Sequence, residues 1–238
     1  MRLPRRLAAA AFALALVAGV ASARGQLQTR QTGVDLDAGD RAGRLVLANT
    51  GDAPVAAQVR VYAWSQVDGQ DVLEPTDAMV ASPPIMEIAA GGEQLVRLVR
   101  PTAAPVEREQ SYRIVVDELP GQGESEAGSA IKVRMRYVLP AFVRAPDPAP
   151  AALECRIEPR AMVCRNTGGR AAQLGRSHLL AAGGRRVELS PGLLGYVLAG
   201  NTRRFELDAP VMAAAGSATQ LEVLLDGQPA SLPLARGR

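Results

Sequence analysis

Short runs of alternating apolar and polar residues recur along the chain, broken about every 8–12 residues by Gly, Pro, Asn or Asp. They predict strands at Arg44–Ala48, Ala56–Trp64, Gln94–Val99, Tyr112–Asp117 and Ile131–Val143. A second set is predicted at Leu153–Ile157, Ala161–Asn166, Ala172–Leu180, Arg186–Leu189, Thr202–Leu207 and Thr219–Leu225. Past the first 23 residues, no stretch of 12 or more has the period of a polar-faced helix. An all-β chain with this rhythm is a sandwich or a barrel.

Between the two sets lies a run containing Pro146, Pro148 and Pro150. Prolines donate nothing to a ladder and hold the backbone extended, so the run reads as a semi-rigid elbow between domains. A proline-rich loop inside one domain is the competing reading. Local repeats favour two copies of one sandwich. Asn49-Thr50-Gly51 and Asn166-Thr167-Gly168 each follow a strand, and Ala89–Leu95 resembles Leu198–Arg204 as a turn feeding a strand.

The most informative strand is the last of the first set. Ile131, Val133, Met135, Tyr137 and Leu139 share one face by alternation, and Lys132, Arg134 and Arg136 share the other. A plain reading is an edge strand whose basic row discourages aggregation. A sharper one is that the apolar row is lent to an incomplete sandwich on another protein.

The N-terminus stands apart from this pattern. Arg2, Arg5 and Arg6 precede an apolar run, Leu7–Val20, which ends in Ala21-Ser22-Ala23. This is the layout of a secretory signal peptide, expected over residues 1–23. A membrane anchor is the alternative, but an apolar run of about 14 residues falls short of the roughly 20 that span a bilayer. Cleavage would remove three of the 27 basic residues and none of the 24 acidic ones, leaving no net charge. Nucleic-acid binding is thereby disfavoured. In an exported chain Cys155 and Cys164 are expected to form a disulfide, with two unpaired thiols the alternative.

Catalytic chemistry is hard to find. The single histidine, His178, has no metal-ligand spacing around it and no nucleophile elbow to serve. Asp117 and Glu118 are adjacent on a strand and point to opposite faces, unlike the facing carboxylates of a glycosidase. Aromatic residues make up only 3% of the chain, too few for stacking platforms, and Trp64 reads as a core anchor. Neither an enzyme nor a metal or cofactor site is expected.

The order of several motifs narrows the choice. Leu47–Gly51, Val61–Gln66, Ser82-Pro83-Pro84, Gln94–Leu98, Tyr112–Pro120, Pro140–Arg144 and Gly192–Gly200 together resemble the PapD-like periplasmic chaperones of the chaperone–usher pathway. The likeness is closest to the archaic branch serving spore-coat-U-like pilus subunits. It implies two immunoglobulin-like sandwiches in an L-shaped arrangement: residues 24–145 carrying a donor strand, a linker at 146–152, and a second domain at 153–238. It also implies a chaperone that caps subunits by donor-strand complementation and delivers them to an outer-membrane usher. Ile131, Val133 and Met135 would fill the subunit groove, with Tyr137 a fourth.

Further roles follow from the same resemblance. Arg97, Glu118 and Arg144 match positions of a buried ionic network near the domain interface, with Asp208 the candidate acid from the second domain. Better-studied members hold the subunit's terminal carboxylate with an Arg and a Lys. Here Pro140 stands at the lysine's position, which leaves Arg30 and Arg136 as candidates. The rival function is a non-catalytic two-domain periplasmic scaffold.

Overall fold

A computed structural model describes residues 26–102, 105–120 and 133–236. The expected leader, and Ile131 and Lys132 of the expected donor strand, lie outside them. The strands before the elbow are β1 (Leu27–Thr29), β2 (Val34–Leu36), β3 (Ala42–Asn49), β4 (Val55–Val67), β5 (Gln70–Pro75), β6 (Val80–Ser82), β7 (Ile85–Ile88), β8 (Glu93–Val99), β9 (Gln110–Glu118) and β10 (Arg136–Val143). After it come β11 (Leu153–Glu158), β12 (Ala161–Asn166), β13 (Ala172–Ala181), β14 (Arg186–Ser190), β15 (Gly195–Val197), β16 (Thr202–Glu206), a short helix α1 (Ala209–Ala215), β17 (Ala218–Leu225) and β18 (Gln228–Arg236). The protein is all-β, built as two sandwiches.

In the first sandwich a four-stranded sheet, β1-β3-β8-β6, faces a six-stranded one, β2-β10-β9-β4-β5, with β7 also paired to β4. Alternation along each strand fills the space between. Leu45, Leu47, Val96 and Leu98 from one sheet meet Val59, Ile114, Val116 and Ala141 from the other, all essentially buried. The chain changes sheets between β1 and β2: Leu27–Thr29 pairs antiparallel with β3, and Val34–Leu36 pairs parallel with β10. In the second sandwich one continuous sheet folds over its own core. Its joint is β18, which pairs with β17 through residues 228–233 and with β11 through 234–236. Cys155 and Cys164 face each other on the β11–β12 hairpin and form a disulfide.

Each sandwich opens on the same polar device. Asn49, 1% exposed, accepts through Oδ1 from the backbone N–H of Gln26 and Gly51, and donates through Nδ2 to the carbonyls of Ala53 and Ile88. Asn166, fully buried, accepts from Ala152 and Gly168 and donates to Arg170 and Val197. Each asparagine satisfies backbone groups that a tight corner would otherwise bury unpaired.

The sandwiches meet through the six-stranded sheet's outer face. Trp64, Phe142, Ala171, Tyr196 and Leu198 form a small buried cluster drawn from both. The Trp64 and Tyr196 rings meet edge to face at 5.5 Å, and the Arg113 guanidinium lies 3.6 Å over the indole. Trp64 therefore anchors the domain contact rather than the first core. Gln66, 7% exposed, acts as an extra rung: Nε2 donates to Tyr196 O, and Oε1 accepts from Leu198 N. At the β4–β5 tip Gly69 has φ +77°, and a Cβ there would meet Arg204 Cβ at 2.8 Å. Its carbonyl accepts from Arg204 N at 2.9 Å.

The ionic pair at this contact differs from the expected network. Arg144 pairs with Glu109, whose side chain is fully buried, and with the exposed Asp35. Glu109 also accepts from Ala171 N at 2.7 Å, so one carboxylate joins both sandwiches. Burial pushes the Glu109 carboxyl above its ordinary range, and Arg144 and the Ala171 N–H oppose this without overcoming it. Arg97 lies exposed on β8 opposite Arg44. Glu118 is at the far end of the sheet, against Met135. Asp208 caps the short helix through Val211 N. None of these three joins Arg144, because β8 belongs to the other sheet and Glu118 is eight residues along β9 from Gln110.

Replacing Asn49 or Asn166 with Ala is expected to cost about 2–4 kcal/mol in urea unfolding, from several orphaned backbone groups at once. Glu109→Ala is expected to cost about 3–5 kcal/mol, since Arg144 and Ala171 N lose one shared acceptor. A loss under about 1 kcal/mol would mean that water replaces the carboxylate.

Candidate functional site

Strand β10 has two faces and two edges, and its register fixes what each carries. It pairs with β9 from Arg136↔Asp117 to Val143↔Gln110. Leu139, Ala141 and Val143 point inward and are buried, and Phe142 points outward into the domain contact. The inward row continues toward the N-terminus through Tyr137 and Met135 to Val133. Along it exposure rises, with Tyr137 half-buried, Met135 38% exposed and Val133 78% exposed. An apolar row that begins in the core thus runs out into solvent.

The edges follow the same period, because the N–H and C=O of one residue point to one side and alternate. Glu118 N donates to Met135 O, so odd residues of β10 face β9. Arg144 N donates to Leu36 O, so even residues face the opposite edge. There β2 covers only Ala141–Val143. Among the described residues, no strand pairs with the edge at Arg136 and Val138. Pro140, next along it, has no N–H to leave unpaired, and its ring lies under Gly33, where a Cβ would come within 3.0 Å of it.

The expected strand starts at residue 131, but the structure starts β10 at Arg136, with Val133–Met135 extended beyond it as irregular chain. The expected row also divides. The Tyr137 hydroxyl donates to Leu27 O at 2.7 Å and its ring packs on the first core, so Tyr137 ties the two sheets together. Val133 and Met135 are the apolar members left in solvent.

The candidate anchoring cations are both engaged with acids. Arg30 pairs with Glu93 on the four-stranded sheet, and Arg136 pairs with Asp117 on the six-stranded one. Two acids central to the structure carried little sequence signal. Glu109 sits in an unpatterned approach to β9, and Asp117 stands out in the sequence only as half of an adjacent carboxylate pair. At the opposite end of β10 a cleft of about 410 Å³ opens between the sandwiches, lined by Asp35, Arg144, Arg170, Gln173 and Tyr196 among others. His178 lies on β13 between Glu188 and Glu222 of the flanking strands. Among the described residues no cluster of His, Cys, Asp and Glu could hold a metal, and no helix is long and apolar enough to cross a membrane.

Solved structures share this architecture. A chain of the chaperone–tip adhesion subunit pre-assembly complex from the archaic chaperone-usher Csu pili of Acinetobacter baumannii superposes with a TM-score of 0.70 at 22% identity, over 91% of this chain and 100% of that one. A chain from the Salmonella enterica SafA pilin–SafB chaperone complex gives 0.64 at 18% identity, over 88% and 96%. The E. coli chaperone DraB gives 0.60 at 18%, over 90% and 97%. No curated protein matches the sequence significantly. The family model for the pili and flagellar-assembly chaperone PapD N-terminal domain matches residues 26–149. That span is more than half of the chain, and the protein belongs to the pili and flagellar-assembly chaperone family.

Proposed function

We propose that this protein is a periplasmic, non-catalytic chaperone that binds and caps pilus subunits of the spore-coat-U-like type by donor-strand complementation, then hands them to an outer-membrane usher. The observation that carries this reading is the end of β10, where an exposed apolar row, Val133 and Met135, adjoins an unpaired edge at Arg136 and Val138. An incomplete sandwich needs both things at once: side chains for its open core and a backbone for its open ladder. Burying each large apolar side chain would contribute about 1.5–3 kcal/mol, and Ile131 would extend the row by one further residue.

The relatives in complexes support the partner class, since the Acinetobacter structure holds a tip adhesion subunit and the Salmonella one a pilin. Arg30 and Arg136 could take a subunit's terminal carboxylate only by giving up Glu93 or Asp117. Arg170, exposed at the cleft and outside the described ion pairs, is the more available cation.

The full chain co-expressed with a spore-coat-U-like subunit from the same genome should co-purify with it one-to-one. Met135→Asp should abolish that complex and leave the free protein's melting midpoint unchanged, because Met135 already faces solvent. An intact complex with Met135→Asp would rule out strand donation and return the protein to a scaffold role.

A further inference from the structure

Met135 is where the regular ladder between β9 and β10 stops, and two adjacent carboxylates of β9 grip the chain there. Glu118 N donates to Met135 O at 2.9 Å. The return bond is not backbone to backbone: Met135 N donates to Glu118 Oε2 at 3.2 Å. One residue further, Arg136 Nε donates to Asp117 Oδ1, and Asp117 Oδ2 accepts from Arg60 Nη2 at 2.6 Å. Being neighbours on a strand, the two acids work on opposite faces. Glu118 holds the backbone of the apolar row, and Asp117 holds the side chain that follows it.

The Asp117 contact crosses three strands. Its side chain is 13% exposed, covered by Arg60 from β4 and Arg136 from β10, themselves 43% and 64% exposed. Burial pushes the Asp117 carboxyl up, but the hydrogen bonds from Arg136 and Arg60 and their charges outweigh it, and it lies below its ordinary range. The acid therefore stays ionised near neutral pH. Beyond this point β9 stays on β4 but has no N–H left for β10. Leu119 N donates to Ala56 O on β4, and Pro120, next in line, has no N–H. Among the described residues β9 offers Val133 no further rung.

We infer that Asp117 and Glu118 are positioning residues for the donor row, fixing the register and twist with which the chain leaves the sandwich. The inference rests on the strand-donation reading above. Binding by strand addition orders the donor backbone, and fixing one residue costs about tenfold in an equilibrium constant. Met135 and Arg136 are already fixed in the free protein, one facing the partner's groove with its side chain, the other with its open edge. The carboxylates spare the complex that ordering.

The test uses the full chain and the same co-expressed spore-coat-U-like subunit. Glu118→Ala should weaken capture about tenfold at an unchanged melting midpoint, and Asp117→Asn should weaken it about as much with a midpoint lowered by a few degrees, since Arg60 and Arg136 lose their charged acceptor. Arg136→Lys, which keeps a cation for Asp117, should retain capture within about twofold. In the free protein, hydrogen exchange of the Met135 and Tyr137 amides, the two at this end that face β9, should speed up about tenfold in Asp117→Asn and Glu118→Ala, with the rest of β10 unchanged. Capture by both variants equal to the parent's would overturn the inference and leave strand donation standing, provided Met135→Asp still abolishes the complex. If Met135→Asp captures the subunit normally, strand donation itself is wrong, and unchanged exchange at Met135 and Tyr137 would separately remove the positioning role. Should Asp117→Asn not fold, Glu118→Ala, whose described side-chain hydrogen bond is to Met135, carries the decision.

Discussion

The two-residue period of β10 is the constraint on which the rest depends. One strand supplies inward Leu139, Ala141 and Val143 to the first core, outward Phe142 to the domain contact, and Arg144 to the ion pair with Glu109. Its other end releases the apolar row and the open edge. A slip of one residue against β9 would exchange the faces, moving Phe142 inward and exposing Val143. Register is therefore held where errors would be costly: by Tyr137 across to β1, by Arg136 on Asp117, and by Arg144 on Glu109, the carboxylate that also takes Ala171 N of the second sandwich. The same contacts that make the fold unique also place the exposed apolar row at a set distance from the domain contact.

That domain contact is small in apolar terms, since its buried cluster has five members. Polar partners make it specific. Gln66 takes both a carbonyl and an N–H from the second sandwich, and Glu109 takes Ala171 N while paired to Arg144. A buried polar group left unmatched is expensive, so these pairs penalise other orientations more than they reward this one. Burial also pulls the Arg113 guanidinium below its ordinary value, with the charge of Asp71 opposing it, so the stacked cation over Trp64 gives up hydration to sit there. Orientation is bought with desolvation.

Much of this was legible in the sequence. The Asn-Thr-Gly repeats marked the two corners where Asn49 and Asn166 perform the same task, because a corner that buries backbone groups needs a side chain able to accept and donate together. The strong alternating runs became strands β3, β4, β8, β9 and β11–β14 within a few residues. Strands β1, β2, β6 and β15 are three residues each, too short to show a period, and in β18 the alternating Ala230, Leu232 and Leu234 are interrupted by Pro229 and Pro233, which read as loop. The site was half legible. Alternation found the row of Val133 and Met135, but it also drew Tyr137 into the row, and a hydroxyl's partner cannot be read from spacing. Arg97, Glu118 and Arg144 were grouped by resemblance, whereas the acid that meets Arg144 is Glu109, in a stretch with no pattern.

An exposed apolar row beside an unpaired edge is also what natural sheets avoid, since it templates aggregation. Here the exposure is kept short. Pro140 removes one N–H from the open edge, Gly33 lets the chain before β2 close over the proline ring, and β2 covers Ala141–Val143. Arg136 adds a charge on the outward face, and Asp117 holds it in place. Among the described residues, what remains open is about two rungs of backbone, at Arg136 and Val138, with the apolar side chains of Val133 and Met135, too little to nucleate a stable pair alone, because an isolated two-stranded hairpin is marginal in water. An edge protected everywhere except at the stretch that continues the core row discriminates by architecture: under the strand-donation proposal, an incomplete sandwich gains core side chains and ladder bonds together, and a loose chain gains only a few rungs.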